Sequence, residues 1–207
     1  MTTTSDTAAQ TAVEQDAEAA ATSRVVDGVT LPAAGTYVLD PTHTRIGFVA
    51  RHLMVTKVRG SFRQFEGSIT ISEEPGGSTA EATMQSASID TGTPDRDAHL
   101  VSGDFLEVEK YPTVRFANAR VASQKGANFT VVGDLTIKDV TREVTLDVEL
   151  DGVAKDPWGN EKLAVTASTE IDREDFGMTW NVALETGGVL VSKKVRIEIE
   201  AQADRQS

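Results

Sequence analysis

The stretch NFTVVGDLTIKDVTREVTLDVEL, residues 128–150, decides the fold class. Apolar side chains occupy every second position on both sides of the turn at Lys138-Asp139, and charged residues such as Glu143 and Asp147 fill positions between them. A period of two places successive side chains on opposite faces of a β-strand. The stretch therefore predicts two half-buried antiparallel strands. The alternating apolar positions are Phe129, Val131, Gly133, Leu135, Ile137, Val144, Leu146, Val148 and Leu150.

The same alternation continues on both sides of this pair, with turn signals such as Asp40-Pro41 and Pro75-Gly76-Gly77 between the segments. About eight strands joined mostly by short turns indicate an all-β sandwich or an up-and-down barrel. We favour an eight-stranded antiparallel barrel, because hairpins connect successive strands and closure removes exposed sheet edges. The further strand segments are 36–39, 44–53, 60–71, 79–89, 113–121, 163–171 and 195–201.

One of these segments changes phase. Phe62 lies at an even position, whereas Phe65, Ile69 and Ile71 lie at odd positions. If all four side chains face inward, an extra residue must be accommodated between them. We therefore predict a β-bulge near Arg63-Gln64.

Residues 88–116, SIDTGTPDRDAHLVSGDFLEVEKYPTVRF, interrupt the alternation. A proline and acidic residues in a first turn favour a helix start. We predict a short helix over residues 95–102 and a second helical turn at Asp104-Phe105-Leu106. One strand should end at Ile89, and Tyr111-Pro112 should lead into the next. This helical insertion is expected to lie across one end of the barrel, with Phe105 plugging that end.

The first 34 residues differ in composition from the rest. They are rich in Ala, Thr and Ser, and five acidic residues stand against Arg24, which gives a net charge of −4. Such a segment buries too little apolar surface to offset the entropy lost on ordering. We predict a disordered acidic tail over residues 1–34 and a single barrel domain over residues 35–207.

Composition excludes several function classes. The chain has no cysteine, so thiolate nucleophiles, zinc thiolates and disulfides are absent. A formal net charge of −12 disfavours binding of nucleic acid and electrostatic docking onto anionic lipid surfaces, but it does not bear on binding of a single lipid inside the fold. No window approaches the roughly 20 apolar residues of a membrane span. The N-terminal stretch lacks the basic and apolar regions of a signal peptide, so we expect a cytoplasmic protein.

The chain contains residues that could act in catalysis, but they do not occur in the motifs that indicate an active site. His43, His52 and His99 could be combined with Asp40, Asp97 and Ser102 into a triad, yet no GxSxG elbow or oxyanion loop is present. The histidines lack HxxxH and HExxH spacing, which argues against a metal site. No phosphate-binding glycine motif occurs. We expect no enzyme activity, no metal and no cofactor.

An ordered set of short motifs resembles a known family. Between Gly35 and about Ala203, the chain is similar to the YceI-like family of lipocalin-like, polyisoprenoid-binding proteins. The motifs are Leu39-Asp40, Thr42-His43-Thr44, Ile46-Gly47-Phe48, Arg51-His52-Leu53, Val58 to Gly67, Ser88 to Thr91, Arg96-Asp97, His99-Leu100, Asp104-Phe105, Tyr111-Pro112, Phe116, Gly133 to Ile137, Val140-Thr141, Asp172-Arg173 and Asp175 to Met178.

The resemblance implies a barrel whose hydrophobic interior holds a long isoprenoid or similar amphiphile, and it implies no catalytic apparatus. Many members of the family are exported to the periplasm through a cleaved signal, which is not recognised in this sequence. An eight-stranded barrel is wide enough either to be filled by side chains or to hold one small ligand, and the inward positions are consistent with both.

A lipid site needs a dry tube for the tail and a few polar groups for the head. Carriage or sequestration of a polyisoprenoid, quinone or fatty-acid-like ligand is the function we favour. A filled, stress-related scaffold and a hydrolase are the alternatives, and a homodimer is an open alternative to a monomer. The apolar candidates for lining the site are Phe48, Phe62, Phe65, Met84, Phe105, Phe116, Leu135, Val148 and Trp180. The polar candidates for the head are Arg51, His52, Arg96, Asp97 and His99, with an N-terminal helix charge as the other reading of Asp97.

Overall fold

A computed structural model describes residues 23–26, 28–185 and 188–206. Most of the regular structure in these ranges is β-strand, and there is one α-helix, α1 (Pro94–Val101). No helix within these ranges is both long and apolar enough to cross a membrane. The strands are β1 (Ser23–Val26), β2 (Val29–Pro32), β3 (Gly35–Leu39), β4 (Arg45–His52), β5 (Thr56–Phe62), β6 (Phe65–Ile71), β7 (Thr79–Gln85), β8 (Ile89–Asp90), β9 (Thr113–Lys125), β10 (Asn128–Ile137), β11 (Val140–Lys155), β12 (Glu161–Asp172) and β13 (Lys194–Arg205). Short 3-10 turns lie at Pro75–Gly77, Ser86–Ser88 and Arg173–Phe176.

Eight strands close into an antiparallel barrel, as the alternation predicts. Pairing runs from β12 through β11, β10, β9, β7, β6 and β3 to β13. The last strand then pairs with β12 from Lys162↔Asp204 to Asp172↔Lys194, which completes the cylinder. The predicted barrel is confirmed.

The predicted irregularity at Arg63-Gln64 is a complete break that separates β5 from β6. The backbone N–H of Arg63 donates to the Ser88 carbonyl, and that of Gln64 donates to the Ser88 hydroxyl, each at a distance of 3.0 Å. Because the break resets the phase, Phe62 and Phe65 both pack against the core. The break also lets β5 pair with β4 while β6 pairs with β3 and β7.

The helical insertion contains the predicted helix, but the prediction of a second helical turn at residues 104–106 is wrong. Helix α1 ends before Ser102, whose extended backbone (ψ 174°) stops the helix. Residues 103–106 form a turn in which the N–H of Phe105 donates to the Ser102 carbonyl over 3.1 Å. The strand predicted over residues 79–89 is interrupted by the 3-10 turn at Ser86–Ser88.

The prediction of a disordered tail is wrong for the part of it that the structure describes. Strands β1 and β2 pair as an antiparallel hairpin, with Arg24 opposite Leu31. Leu31 and Ala33 are buried, and the Arg205 guanidinium donates to the Ala34 carbonyl over 2.9 Å. These contacts join residues that are far apart in the sequence. A prediction from local composition cannot detect them. Residues 1–22 lie outside the described residues.

Candidate functional site

The barrel encloses an apolar cavity made of two chambers. The upper chamber has a volume of about 190 Å³, and its wall includes Leu100 of α1. The lower chamber has a volume of about 200 Å³, and its wall includes Leu31 and Pro32 of β2. Together the chambers fall within the range of about 300–1,000 Å³ typical of small-molecule sites.

The two chambers meet at a shared waist. Five residues from five different strands line both chambers, so the chambers lie on either side of one ring of side chains. Ala82 is the smallest of them, whereas Phe116 contributes a ring. The waist residues are Ile46, Ala82, Phe116, Leu146 and Ile199.

Two glycines make room for aromatic rings in the wall. A Cβ atom at Gly60 would collide with the ring of Phe48, and one at Gly133 would collide with the ring of Phe116. Each ring therefore lies against the bare backbone of the neighbouring strand. This placement keeps both rings near the wall and leaves more of the interior open.

Most of the apolar residues that the sequence predicts for the site line the cavity. Phe105 is only 7% exposed, and its ring contacts His99 and Trp180 with centroid distances of 5.0 and 5.5 Å. Phe65 and Trp180 pack against the core around the upper chamber without lining it. The predicted residues that line the upper chamber are Phe48, Phe62, Met84, Phe105, Phe116 and Leu135, and Val148 lines the lower one.

Arg173 is the one charged side chain among the described residues that line the upper chamber. It is 2% exposed. Its Nε donates to the Ser192 carbonyl over 3.0 Å, and its Nη1 donates to the Met178 carbonyl. Its Nη2 is buried and has no hydrogen-bond partner among the described residues. A buried donor without a partner carries a large desolvation cost, so a ligand oxygen placed there would be stabilised.

No carboxylate in the described part of the chain forms an ion pair with this guanidinium. Burial lowers the pKa of Arg173, and the charges of Glu174 and Asp172 oppose that shift. Asp172, however, accepts from the backbone N–H of Glu174 over 3.0 Å, and Glu174 pairs with Lys193 over 2.7 Å. The upper chamber therefore ends in a cation whose nearest acids have other partners.

The polar residues predicted for the head group do not line the cavity. Asp97 accepts from the backbone N–H and the hydroxyl of Thr91 over 2.9 and 2.5 Å, and Arg96 donates to the same hydroxyl over 2.7 Å. These bonds fix the start of α1. His99 instead makes a 2.8 Å contact with Asp104.

The other two predicted polar residues lie at the end of β4. Arg51 is exposed on the outer side of the barrel, and half-buried His52 bridges to Val191. Neither contributes to either chamber wall.

Of the residues considered for a triad, His43 pairs with Asp40 over a distance of 2.6 Å, but Ser102 and Asp97 bond elsewhere. The Ser102 hydroxyl donates to the backbone carbonyl of His99 over 2.7 Å, and Asp97 is occupied by Thr91. Within the described ranges, no group of three or more His, Asp or Glu side chains is placed to hold a metal ion.

Sequence reasoning missed Arg173 as a cavity residue, although a signal for it exists. The inward positions of β12 are Leu163, Val165, Ala167, Thr169 and Ile171. The next odd position is Arg173, so continuing the period of two past the strand end points its side chain inward. Leu31 was missed because it lies in the segment predicted to be disordered.

A polar cluster lies at the lower end of the barrel. Tyr37, which is fully buried, donates to Glu161 Oε1 over 2.6 Å, and Arg205 pairs with Glu161 Oε2 over 3.5 Å. Burial, followed by the hydrogen bond to Glu161, raises the pKa of the Tyr37 hydroxyl. The cluster joins β3, β12 and β13 where the cylinder closes.

Solved structures share this fold. The YCEI protein of Campylobacter jejuni is 28% identical, with a TM-score of 0.66 over 76% of this chain and 90% of that one. BcnA of Burkholderia cenocepacia is 22% identical, with a TM-score of 0.67 over 80% and 99%. A polyisoprenoid binding domain from Saccharophagus degradans is 15% identical, with a TM-score of 0.56 over 84% and 99%.

Sequence comparisons assign the family. A UPF0312 protein of Staphylococcus aureus strain MSSA476 is 41% identical over 171 residues, which cover 80% of this chain and 95% of that protein. The family profile of the YceI-like domain matches residues 37–203. The chain therefore belongs to the YceI-like family.

Proposed function

We propose that the barrel binds a long-chain isoprenoid or a similar amphiphilic lipid, which it carries or sequesters. The observation that carries this proposal is the pair of apolar chambers that share five wall residues, because a tail that passes between those residues occupies both chambers. Burial of apolar surface stabilises by roughly 25 cal/mol per Å², so a tail of a few isoprene units would supply most of the affinity. The similarity to a polyisoprenoid binding domain supports the same proposal.

Arg173 gives the ligand its orientation in this proposal. Its free Nη2 donates to an oxygen of the head group, and the tail runs from the upper chamber through the waist into the lower one. A quinone carbonyl or a carboxylate meets this requirement, because each presents an acceptor to a single N–H donor. A head group that carries only donors, such as an amine, does not.

A series of ligands with one tail and different heads tests both parts. Delipidated protein is titrated with farnesene, farnesol, farnesoic acid and farnesylamine while a bound fluorescent fatty acid is displaced. We expect all but the amine to displace the probe, with farnesoic acid strongest. Failure of all four contradicts lipid binding. Equal affinity for farnesene and farnesoic acid contradicts only the role of Arg173.

Two further expectations remain predictions. Cytoplasmic location is tested by fractionating cells that express the full chain, and a homodimer is tested by sedimentation velocity. Neither outcome alters the cavity or the proposal built on it.

A further inference from the structure

One hairpin of this acidic protein carries basic residues and no acidic ones. Residues 41–65 contain five Arg and Lys and no Asp or Glu, although the whole chain has a net charge of −12. Four of the five lie in β4 and β5, which pair from Ile46↔Phe62 to His52↔Thr56. We call residues 45–62 the basic hairpin. Its local charge is therefore opposite to that of the molecule.

Three cations of the basic hairpin share its outer face without partners. Arg51 lies directly opposite Lys57, and Arg59 follows two residues later on the same side of β5. All three are exposed, and none forms an ion pair with a described residue. Like charges placed directly opposite each other destabilise a strand pair. An anionic surface would remove this repulsion.

The tip of the basic hairpin is apolar and exposed. Leu53, Met54 and Val55 are 44%, 50% and 78% exposed. Leu53 and Met54 have φ angles of 53° and 59°, a region that turns usually fill with Asn or Gly. The turn thus carries large apolar side chains at positions where its backbone favours small or polar ones.

A neighbouring segment widens this apolar surface. The Leu53 N–H donates to the Leu190 carbonyl over 2.8 Å, and the Leu190 N–H donates to the Val182 carbonyl over 2.9 Å. Val182 is 46% exposed. Over 180–185 and 188–193 this segment contributes one acidic residue, Glu185.

We infer that the basic hairpin docks the protein on the surface of an anionic phospholipid bilayer. Leu53, Met54 and Val55 enter the head-group region while Arg51, Lys57 and Arg59 contact lipid phosphates. Exposed apolar side chains flanked by cations are the combination that binds such interfaces. Strand β5 pairs with β8 only at Ser61 and Phe62, so most of its outer edge is free of strand partners within the described residues. Cations on such an edge discourage pairing with another chain, which offers a second explanation for them. Edge protection does not explain why the tip of the hairpin is apolar.

This inference is independent of what the cavity holds. Phe48 and Ala50 of β4 line the upper chamber, so the strand that forms the cavity wall continues into the docking tip. Docking therefore places the upper chamber next to the membrane.

Sedimentation with vesicles tests the inference on the full chain. We expect binding to vesicles of phosphatidylcholine mixed with phosphatidylglycerol, little binding to phosphatidylcholine alone, and weakening as salt is raised. Each cation near an anionic surface contributes roughly fivefold, so Arg51→Gln/Lys57→Gln/Arg59→Gln should weaken binding on the order of 100-fold. Leu53→Ser/Val55→Ser should also reduce it, with the melting temperature confirming that each variant is folded.

Matched variants elsewhere on the barrel provide the controls. Arg115→Gln/Arg120→Gln/Lys125→Gln on β9 removes the same charge, and Trp158→Ser removes a side chain that is 85% exposed in the 156–160 turn. We expect neither to weaken binding. If the wild-type protein does not bind the mixed vesicles, the inference is overturned. It is also overturned if the β9 control weakens binding as much as the hairpin variant does.

Discussion

The guanidinium carbon of Arg173 lies 6.0 Å from the centroid of the Phe105 ring, and both side chains line the upper chamber. This spacing is within the range of a cation–π contact. The ring shields one side of the buried cation, while the unpartnered Nη2 is left without an acceptor. One apolar and one charged residue therefore lie together in the wall of the upper chamber.

Phe105→Ala is expected to change ligand retention more than stability. The ring packs against His99 and Trp180 on one side and faces the cavity on the other. The loss of stability should therefore be smaller than the roughly 3–5 kcal/mol of a fully packed Phe→Ala. Ligand release is expected to accelerate about tenfold or more, as followed by transfer to vesicles in stopped-flow fluorescence.

Phe176→Ala is the matched control for that variant. Phe176 is 2% exposed and packs in the core without lining either chamber. It should show the larger stability loss and unchanged release in the folded fraction. Wild-type release from the Phe105 variant would argue for a structural cap rather than a plug.

Ala82→Leu is expected to close the waist between the chambers. Ala82 is opposite Phe116 in the β7–β9 pair, and both line the two chambers. A larger side chain there should block long tails and spare short ones. Each excluded methylene costs about 0.8 kcal/mol, so affinity for a polyprenol should fall at least about tenfold, with geraniol little affected. Thr83→Leu on the other face is the control, and equal loss for both ligands would count against a continuous path.

Arg173→Lys is expected to remove head-group discrimination. A lysine ammonium lacks the planar fork that serves two carbonyls and a third acceptor at once. Affinity for farnesene should persist, while the preference for farnesoic acid over farnesene should shrink. Isothermal titration of both ligands measures this ratio. An unchanged ratio in a folded variant would place the head group elsewhere.

Tyr37→Phe is expected to destabilise the lower end of the barrel by about 1.5–3 kcal/mol, because Glu161 loses a buried donor. The raised pKa of Tyr37 also sets a pH dependence. Above about pH 10 the unfolded chain loses the phenolic proton while the folded chain keeps it, so wild-type stability falls as pH rises toward the folded pKa.

The variant lacks this titration, so its stability should fall less steeply over the same range. Urea denaturation from neutral pH upward measures the free energy of unfolding of both proteins. Parallel slopes above about pH 10 would contradict the assignment.

Several parts of this structure can be predicted from sequence, because they depend on local periodicity. The alternation over residues 128–150 gives the β10–β11 pair, and the phase change at Arg63-Gln64 gives the break between β5 and β6. The period of two along β12 would also have located Arg173, had it been followed beyond Ile171. Strand period therefore predicts which side chains face the cavity.

Other parts depend on contacts between distant residues. Ala33 and Ala34, which follow the β1–β2 hairpin, bond to Glu161 and Arg205 far along the chain, so composition alone predicted disorder there. Arg96 and Asp97 were expected near a head group, but Thr91 and Thr93 take their hydrogen bonds. Residue type could not reveal that these bonds are satisfied locally.

Mass spectrometry of an organic extract from the purified, undenatured protein identifies whatever the barrel binds in the cell. We expect a near-equimolar amphiphile with an isoprenoid or similar apolar tail and a carbonyl or carboxylate head. A blank extract, together with no rise in melting temperature when polyprenols, quinones or fatty acids are added, would contradict lipid binding and favour a barrel without a ligand.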